Sequence, residues 1–226
     1  MPTFADIAIR YFLKLKTPDI LPSGIEILNP YEKKEIKSTV KEFYKKFYHD
    51  ERKRIYVFGI NPGRFGGGLT GISFTDPVAL KKHCGIDNPF GNKEELSSKF
   101  VYHVINRFGE VKKFFKEFYL SAIYPLALMK DGKNYNYYDS KELFSFLKPH
   151  LKDSLTEQIK FGTDQRVVIC LGKKNADYLE ILNDELKLFN KIEILDHPRF
   201  IMQYRQKKLN DYISQYLNVL ENSIYT

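Results

Sequence analysis

Cysteine is scarce: Cys84 and Cys170 are the only two among 226 residues. Two thiols cannot hold an iron–sulfur cluster, which takes four. Their separation matches no zinc-ligand spacing and builds no disulfide framework. Both read as reduced thiols of a cytoplasmic protein, and no metal or cofactor is expected. No run of about 18 apolar residues exists, so no membrane span is expected. The opening "MPTFADIAIRYFLKLK" lacks a basic leader followed by a purely apolar stretch, so no signal peptide is expected either. Internal repeats, low-complexity tracts and linkers are absent, and one domain over residues 1–226 is expected. Acidic residues are outnumbered: 28 Asp and Glu face 36 Lys and Arg, for a formal net charge of +8. That excess suits an anionic partner such as nucleic acid. Hydrophobic residues at 43% suffice for a packed core rather than disorder.

Apolar residues recur at helical spacing over 4–16 and 31–49, the second among many lysines, and these N-terminal helices are expected to cover the core. The first strand is "RIYVFGI" (54–60). Further strands are read in "FYLSAIYPLAL" (118–128, broken by Pro125), "RVVICLG" (166–172) and "KIEILDHP" (191–198). Helices are read at 77–83 with Asp76 as N-cap and Pro77 at N1, at 95–108, at 139–161, at 173–186 and at 203–222. Strands alternating with helices argue for a mostly parallel α/β sheet, and continuous apolar runs suit strands covered on both faces. Ligands of such folds bind beyond the carboxyl ends of the strands. Three of those ends carry unusual residues: Asn61, Tyr124-Pro125 and His197-Pro198.

The segment "YVFGINPGRFGGGLTGISF" (56–74) runs an apolar strand into a loop rich in glycine. Gly66 to Gly71 formally match a dinucleotide fingerprint. That pattern must directly follow a strand and open a helix, whereas "NPGRF" intervenes and "ISFTDP" follows. No Gly-Lys-Ser/Thr phosphate loop is present either. The residues suit another task. An asparagine amide at position 61 can orient a water and stays neutral at any pH. The Phe74 ring can stack on a planar base. His197 can donate a hydrogen bond to an oxygen that becomes negative. Asn88, before Pro89, is a candidate helper for Asn61, with a turn-forming role as the plainer reading. Asp76 is the carboxylate nearest the loop, and helix capping is its favoured role.

"GINPGRFGGGLTGISF" resembles the first motif of the uracil-DNA glycosylase superfamily, most closely its single-strand-selective monofunctional branch. That branch reads Gly-Met-Asn-Pro-Gly-Pro-Phe-Gly, then Thr-Gly, then Phe. "HPRFIMQYR" resembles the second motif, which begins His-Pro-Ser-Pro-Arg. The resemblance spans roughly residues 50 to 215. It implies a three-layer α/β/α sandwich around a central four-stranded parallel sheet. It also implies that Asn61 positions the hydrolytic water, that Phe74 stacks on the flipped base and that His197 stabilises the charge developing on uracil O2. Gly59, Ile60, Gly63 and Ala122 would complete the base pocket. Arg199, Phe200, Met202 and Arg205 become candidates to wedge into the duplex, and Arg64, Lys173 and Lys174 to hold DNA phosphates.

Two departures stand out. Arg64 replaces a proline. Ala122 stands where the family has an asparagine that reads the uracil edge, and an alanine side chain cannot hydrogen-bond a base. The expected protein is a monofunctional, monomeric glycosylase that removes uracil, with related damaged bases as further candidate substrates, from single- or double-stranded DNA for base excision repair. The alternative is a catalytically weak or inactive binder of damaged DNA, for which Ala122 speaks. A small-molecule enzyme using the glycine loop for a nucleotide is the third reading.

Overall fold

The computed structural model describes residues 1–225. In chain order the elements are α1 (Phe4–Lys14), β1 (Ile25–Leu28), α2 (Lys34–Phe47), β2 (Arg54–Gly59), α3 (Gly67–Thr70), α4 (Pro77–Lys82), α5 (Leu96–Phe108), α6 (Glu110–Glu117) and β3 (Phe118–Ala122). They continue with β4 (Ala127–Lys130), β5 (Lys133–Tyr135), α7 (Lys141–Gln158), β6 (Thr163–Leu171), α8 (Lys173–Leu186), β7 (Ile192–Leu195), α9 (Pro198–Tyr204) and α10 (Leu209–Tyr225). Short 3-10 turns precede α2 and α10 and follow α7.

The main sheet has the order β3-β2-β6-β7, and all its neighbours are parallel. Every residue of β2 and β3 is buried, which is why both read as unbroken apolar runs. Side chains alternate between two helical layers. Tyr56 and Ser121 reach Gln158 at the end of α7, and Cys170 meets Asn175 of α8. Val57, Leu120 and Ile169 face the opposite way, against Val101 of α5 and Leu220 of α10. Helix, sheet and helix thus form the three layers that were expected. The core is one contiguous cluster, and α1 enters it through Phe4, which packs on Tyr48, Tyr119 and Phe161.

A charge sits inside this core. Arg54 is 1% exposed. Its guanidinium donates to Phe115 O at 2.7 Å, Arg52 O at 3.1 Å and Asp50 Oδ2 at 2.9 Å, and it lies over the rings of Phe4 and Tyr48. A buried charge is tolerable only when paired and hydrogen-bonded, as this one is.

Several boundaries differ from the sequence reading for local reasons. The segment 118–128 supplies two strands in two sheets. The chain keeps its ladder to β2 through Ile123 N–H to Gly59 O and Tyr124 N–H to Ile60 O. Pro125 then offers no N–H, and β4 turns away to pair antiparallel with β1 and β5. The C-terminal helix begins earlier and breaks at Arg205, so Pro198 at N1 opens α9 and a second helix follows. The glycine run is not an open loop but folds in part into the single turn α3. Strands β1 and β5 and helix α6 were not read from the sequence. Asp76 does cap α4, accepting from Ala79 N–H at 2.8 Å, with Pro77 behind it. No helix among the described residues is long and apolar enough to cross a membrane.

Candidate active site

The carboxyl ends of β2, β3 and β7 converge on a cavity of about 340 Å³. Gly59, Ile60, Asn61, Gly63, Phe74, Ala122, His197, Arg199 and Phe200, all singled out above, line it. Residues from opposite halves of the chain meet there because parallel strands end on one side of the sheet.

Asn61 leaves β2 two residues beyond its last paired position. Its Nδ2 donates to Tyr135 O at 3.0 Å, and its Oδ1 accepts from Tyr137 N–H at 3.2 Å. The backbone at the end of β5 and just beyond it therefore clamps the amide like a strand partner. One Nδ2 hydrogen and one Oδ1 lone pair remain for a ligand or water.

Phe74 has φ +56, a left-handed conformation costly for a bulky residue. Thr70 holds the turn: its Oγ1 bonds Thr75 O at 2.6 Å and accepts from Ile72 N–H at 3.1 Å. The Phe74 ring lies flush on Gly59, where a Cβ would collide with it. Its centroid is 6.2 Å from the His197 ring.

His197 follows β7 and caps α9, its Nδ1 accepting from Arg199 N–H at 3.1 Å. A ring nitrogen that accepts carries no proton, so the neutral ring bears its hydrogen on Nε2. Burial, helped by the nearby Arg199 charge, pushes the imidazole down to about 4. The ring is thus a neutral donor throughout the physiological range.

Ala122 forms part of the floor, and its carbonyl is taken by Gln158 Nε2 at 3.1 Å. No side-chain amide projects from this position, as the sequence indicated.

Other candidates lie elsewhere. Asn88 is outside the cavity: its Nδ2 donates to Pro77 O and its Oδ1 accepts from Phe90 N–H, an Asx turn that uses both ends of the amide. Met202 is 8% exposed and packs into the core, so it cannot wedge into a duplex. Arg205 folds back over Phe200 at 5.0 Å. Lys173 is exposed near Asp196, and Lys174 lies over the Tyr138 ring. Arg64 hydrogen-bonds Gly132 O and lines an adjoining groove of about 430 Å³ with Phe65, Lys133 and Arg199.

Seven polar or aromatic lining residues escaped the sequence reading: Ser73, Glu95, Ser97, Asn134, Asn136, Gln203 and Tyr204. The two asparagines come from the β4–β5 hairpin and its exit, whose Asp131-Gly132 turn is the signal that could have found it. Glu95 presses against the first-motif loop, where a Cβ at Gly63 or Gly66 would collide with its carboxylate. Its own N–H donates to Asp76 Oδ2 at 2.8 Å. Burial raises its carboxyl to about 7, with Arg199 pulling it down and Asp76 pushing it up.

A three-layer parallel fold with a cavity at its strand ends fits the DNA glycosylase class of hydrolases. The family model of the uracil DNA glycosylase superfamily matches residues 46–221, and the chain belongs to that superfamily. The crystal structure of wild-type SMUG2 from Pedobacter heparinus is similar to it over 100% of both chains, at 39% identity and a TM-score of 0.95. Comparison with the curated proteins finds no match.

Proposed function

We propose that this glycosylase hydrolyses the N-glycosidic bond of uracil in DNA and acts in base excision repair. The convergence of Asn61, Phe74 and His197 on one cavity carries the reading. A base inside a duplex is out of reach, so the enzyme takes up a flipped or single-stranded nucleotide. The base stacks on Phe74 over the Gly59–Ala122 floor. Asn61 holds the water with its unused lone pair. As the glycosidic bond breaks, the pair leaves on the uracil, and His197 Nε2–H donates to the oxygen that gains charge. A neutral imidazole suits this task because it stabilises the anion without first giving up a proton. One such donor is worth about 3–4 kcal/mol. No lysine lines the cavity among the described residues, which supports hydrolysis without a Schiff base. In the adjoining groove, Arg64, Lys133 and Arg199, which stand there with Glu94 and Glu95, are the cations placed to meet phosphates of the flanking strand.

With Ala122 mute, the side-chain amides of Asn134, Asn136 and Gln203, which line the cavity, are the candidates to read the base edge. The test is base release from a labelled oligonucleotide carrying one uracil, single-stranded and opposite guanine or adenine, with alkali to cleave the abasic product. Release by the wild type, and its loss in Asn61→Ala and His197→Ala, is the expected result. Tight, salt-sensitive binding without release would replace the reading by that of a damage binder.

A further inference from the structure

The sequence pointed to Asp76 as the carboxylate nearest the loop. In the structure both Asp76 oxygens are occupied, one capping α4 and the other accepting from Glu95 N–H, and the residue is 2% exposed. Glu95 is the carboxylate in the cavity. It stands just before α5 and faces Gly63 and Gly66, on the loop that carries Asn61. Neither of its side-chain oxygens has a hydrogen-bond donor among the described residues. No fully buried side-chain polar atom among those residues lacks a partner, so these oxygens keep access to the open space of the cavity and its adjoining groove, both of which Glu95 lines. Removing a carboxylate from water without a partner is costly. Two glycines of the loop leave room for it, although a side chain at either would push it out.

Building on the glycosylase reading, we propose that Glu95 is the proton acceptor for the hydrolytic water. Asn61 can orient a water, but an amide oxygen is too weak a base to keep its proton, and the clamp by Tyr135 and Tyr137 leaves it one lone pair. A carboxylate lining the same cavity, against the loop that follows Asn61, completes the pair of groups a water needs. The water oxygen bonds to C1′ of the deoxyribose as the C1′–N bond breaks. The bonding electrons depart on the uracil, steadied by His197 Nε2–H. One water proton passes to Glu95 and then, through solvent, to the uracil anion, which restores the carboxylate. One water is consumed, and no other reactant is needed.

A base poised near neutrality is effective at physiological pH. The charged groups around Glu95 are Arg64 of the loop, Asp76 before α4, Glu94 beside it, Lys133 of β5 and Arg199 of α9. His197, at about 4, titrates well below the Glu95 window.

The experiment is single-turnover uracil release from a single-stranded oligonucleotide at pH about 5 to about 9, by the wild type, Glu95→Gln and Asn61→Ala. Binding to an oligonucleotide with a non-hydrolysable 2′-fluoro-deoxyuridine is measured alongside. The wild-type rate is expected to climb about tenfold per pH unit and level off near pH 7, where the carboxyl is half ionised. Glu95→Gln is expected to lower the plateau by about 100-fold or more and to abolish the climb, with binding unchanged. Asn61→Ala should be slower yet keep the climb. A flat wild-type profile overturns the role of Glu95 however the variants fold. So does a folded Glu95→Gln that retains rate or pH dependence, or one that loses only binding. Uracil release in these cases leaves the glycosylase reading intact, whereas no release by the wild type at any pH overturns both.

Discussion

Replacing Glu95 by glutamine should make the folded protein more stable at alkaline pH. The carboxyl sits at about 7 in the folded chain against an ordinary 4.5, chiefly through burial. Between those two values the unfolded chain has lost the proton while the folded chain still holds it. Stability therefore falls as pH rises through this window, and the cost is complete above the folded value. The shift corresponds to about 3 kcal/mol at 1.36 kcal/mol per unit. An amide of nearly the same shape bears no charge at any pH and escapes this penalty. The assay is urea denaturation of both proteins at pH about 4 and about 8.5, comparing the difference between them at each pH so that all other titrations cancel. Glu95→Gln should gain up to about 3 kcal/mol relative to wild type on going from the acid to the alkaline condition. A difference that does not change with pH would refute the reasoning. It would mean that the carboxylate is solvated or paired in the folded state, and that the cavity does not tune it.

Other outcomes follow from the same geometry. His197→Ala should cut single-turnover uracil release by about 10²–10³-fold, the loss measured for one oxyanion donor elsewhere, with folding checked by thermal denaturation. Gly59→Ala should drive the Phe74 ring off its seat and weaken binding of a uracil-containing oligonucleotide, read by fluorescence anisotropy. Arg54→Ala removes a buried side chain and leaves the Phe115 carbonyl without its donor, while Asp50 keeps Arg52, and should cost about 1–3 kcal/mol in urea denaturation. Gly71→Ala places a Cβ against Val40 and Ile36 at φ +76 and should lower stability by more than about 1 kcal/mol.

Strand β2 and its exit were readable because an apolar run ended in Asn-Pro-Gly, residues that terminate strands for local reasons. Helix α8 was readable end to end, since Gly172 and Lys187 take the left-handed conformations that bracket it. Cap chemistry at Asp76-Pro77 was equally local, whereas His197-Pro198 reads as the end of a strand and conceals the start of α9. The hairpin of β4 and β5 was not legible, although Asp131-Gly132 marks its turn, because β4 continues an apolar run already assigned to the main sheet. Glu95 lay in "NKEELSS", which reads as a solvated acidic start to a helix. Asn88 had the right residue type for catalysis, but its partners Pro77 and Phe90 are its own neighbours, so local turn chemistry claimed it.

What the sequence determined by itself is the set of parts: parallel strands ending in Asn61 and His197, a glycine loop leading to Phe74, a basic surface, and an alanine where an amide is expected. These follow from periodicity, turn residues and motif spacing, which act over a few residues. Tertiary structure alone decided protonation and company. It brought Arg199 N–H to His197 Nδ1 and so put the ring hydrogen on Nε2. It clamped Asn61 between two backbone groups of a distant hairpin. It seated Glu95 against glycines far away in the chain. Charge state depends on desolvation and on neighbours within a few ångströms, and folding, not chain order, determines who those neighbours are.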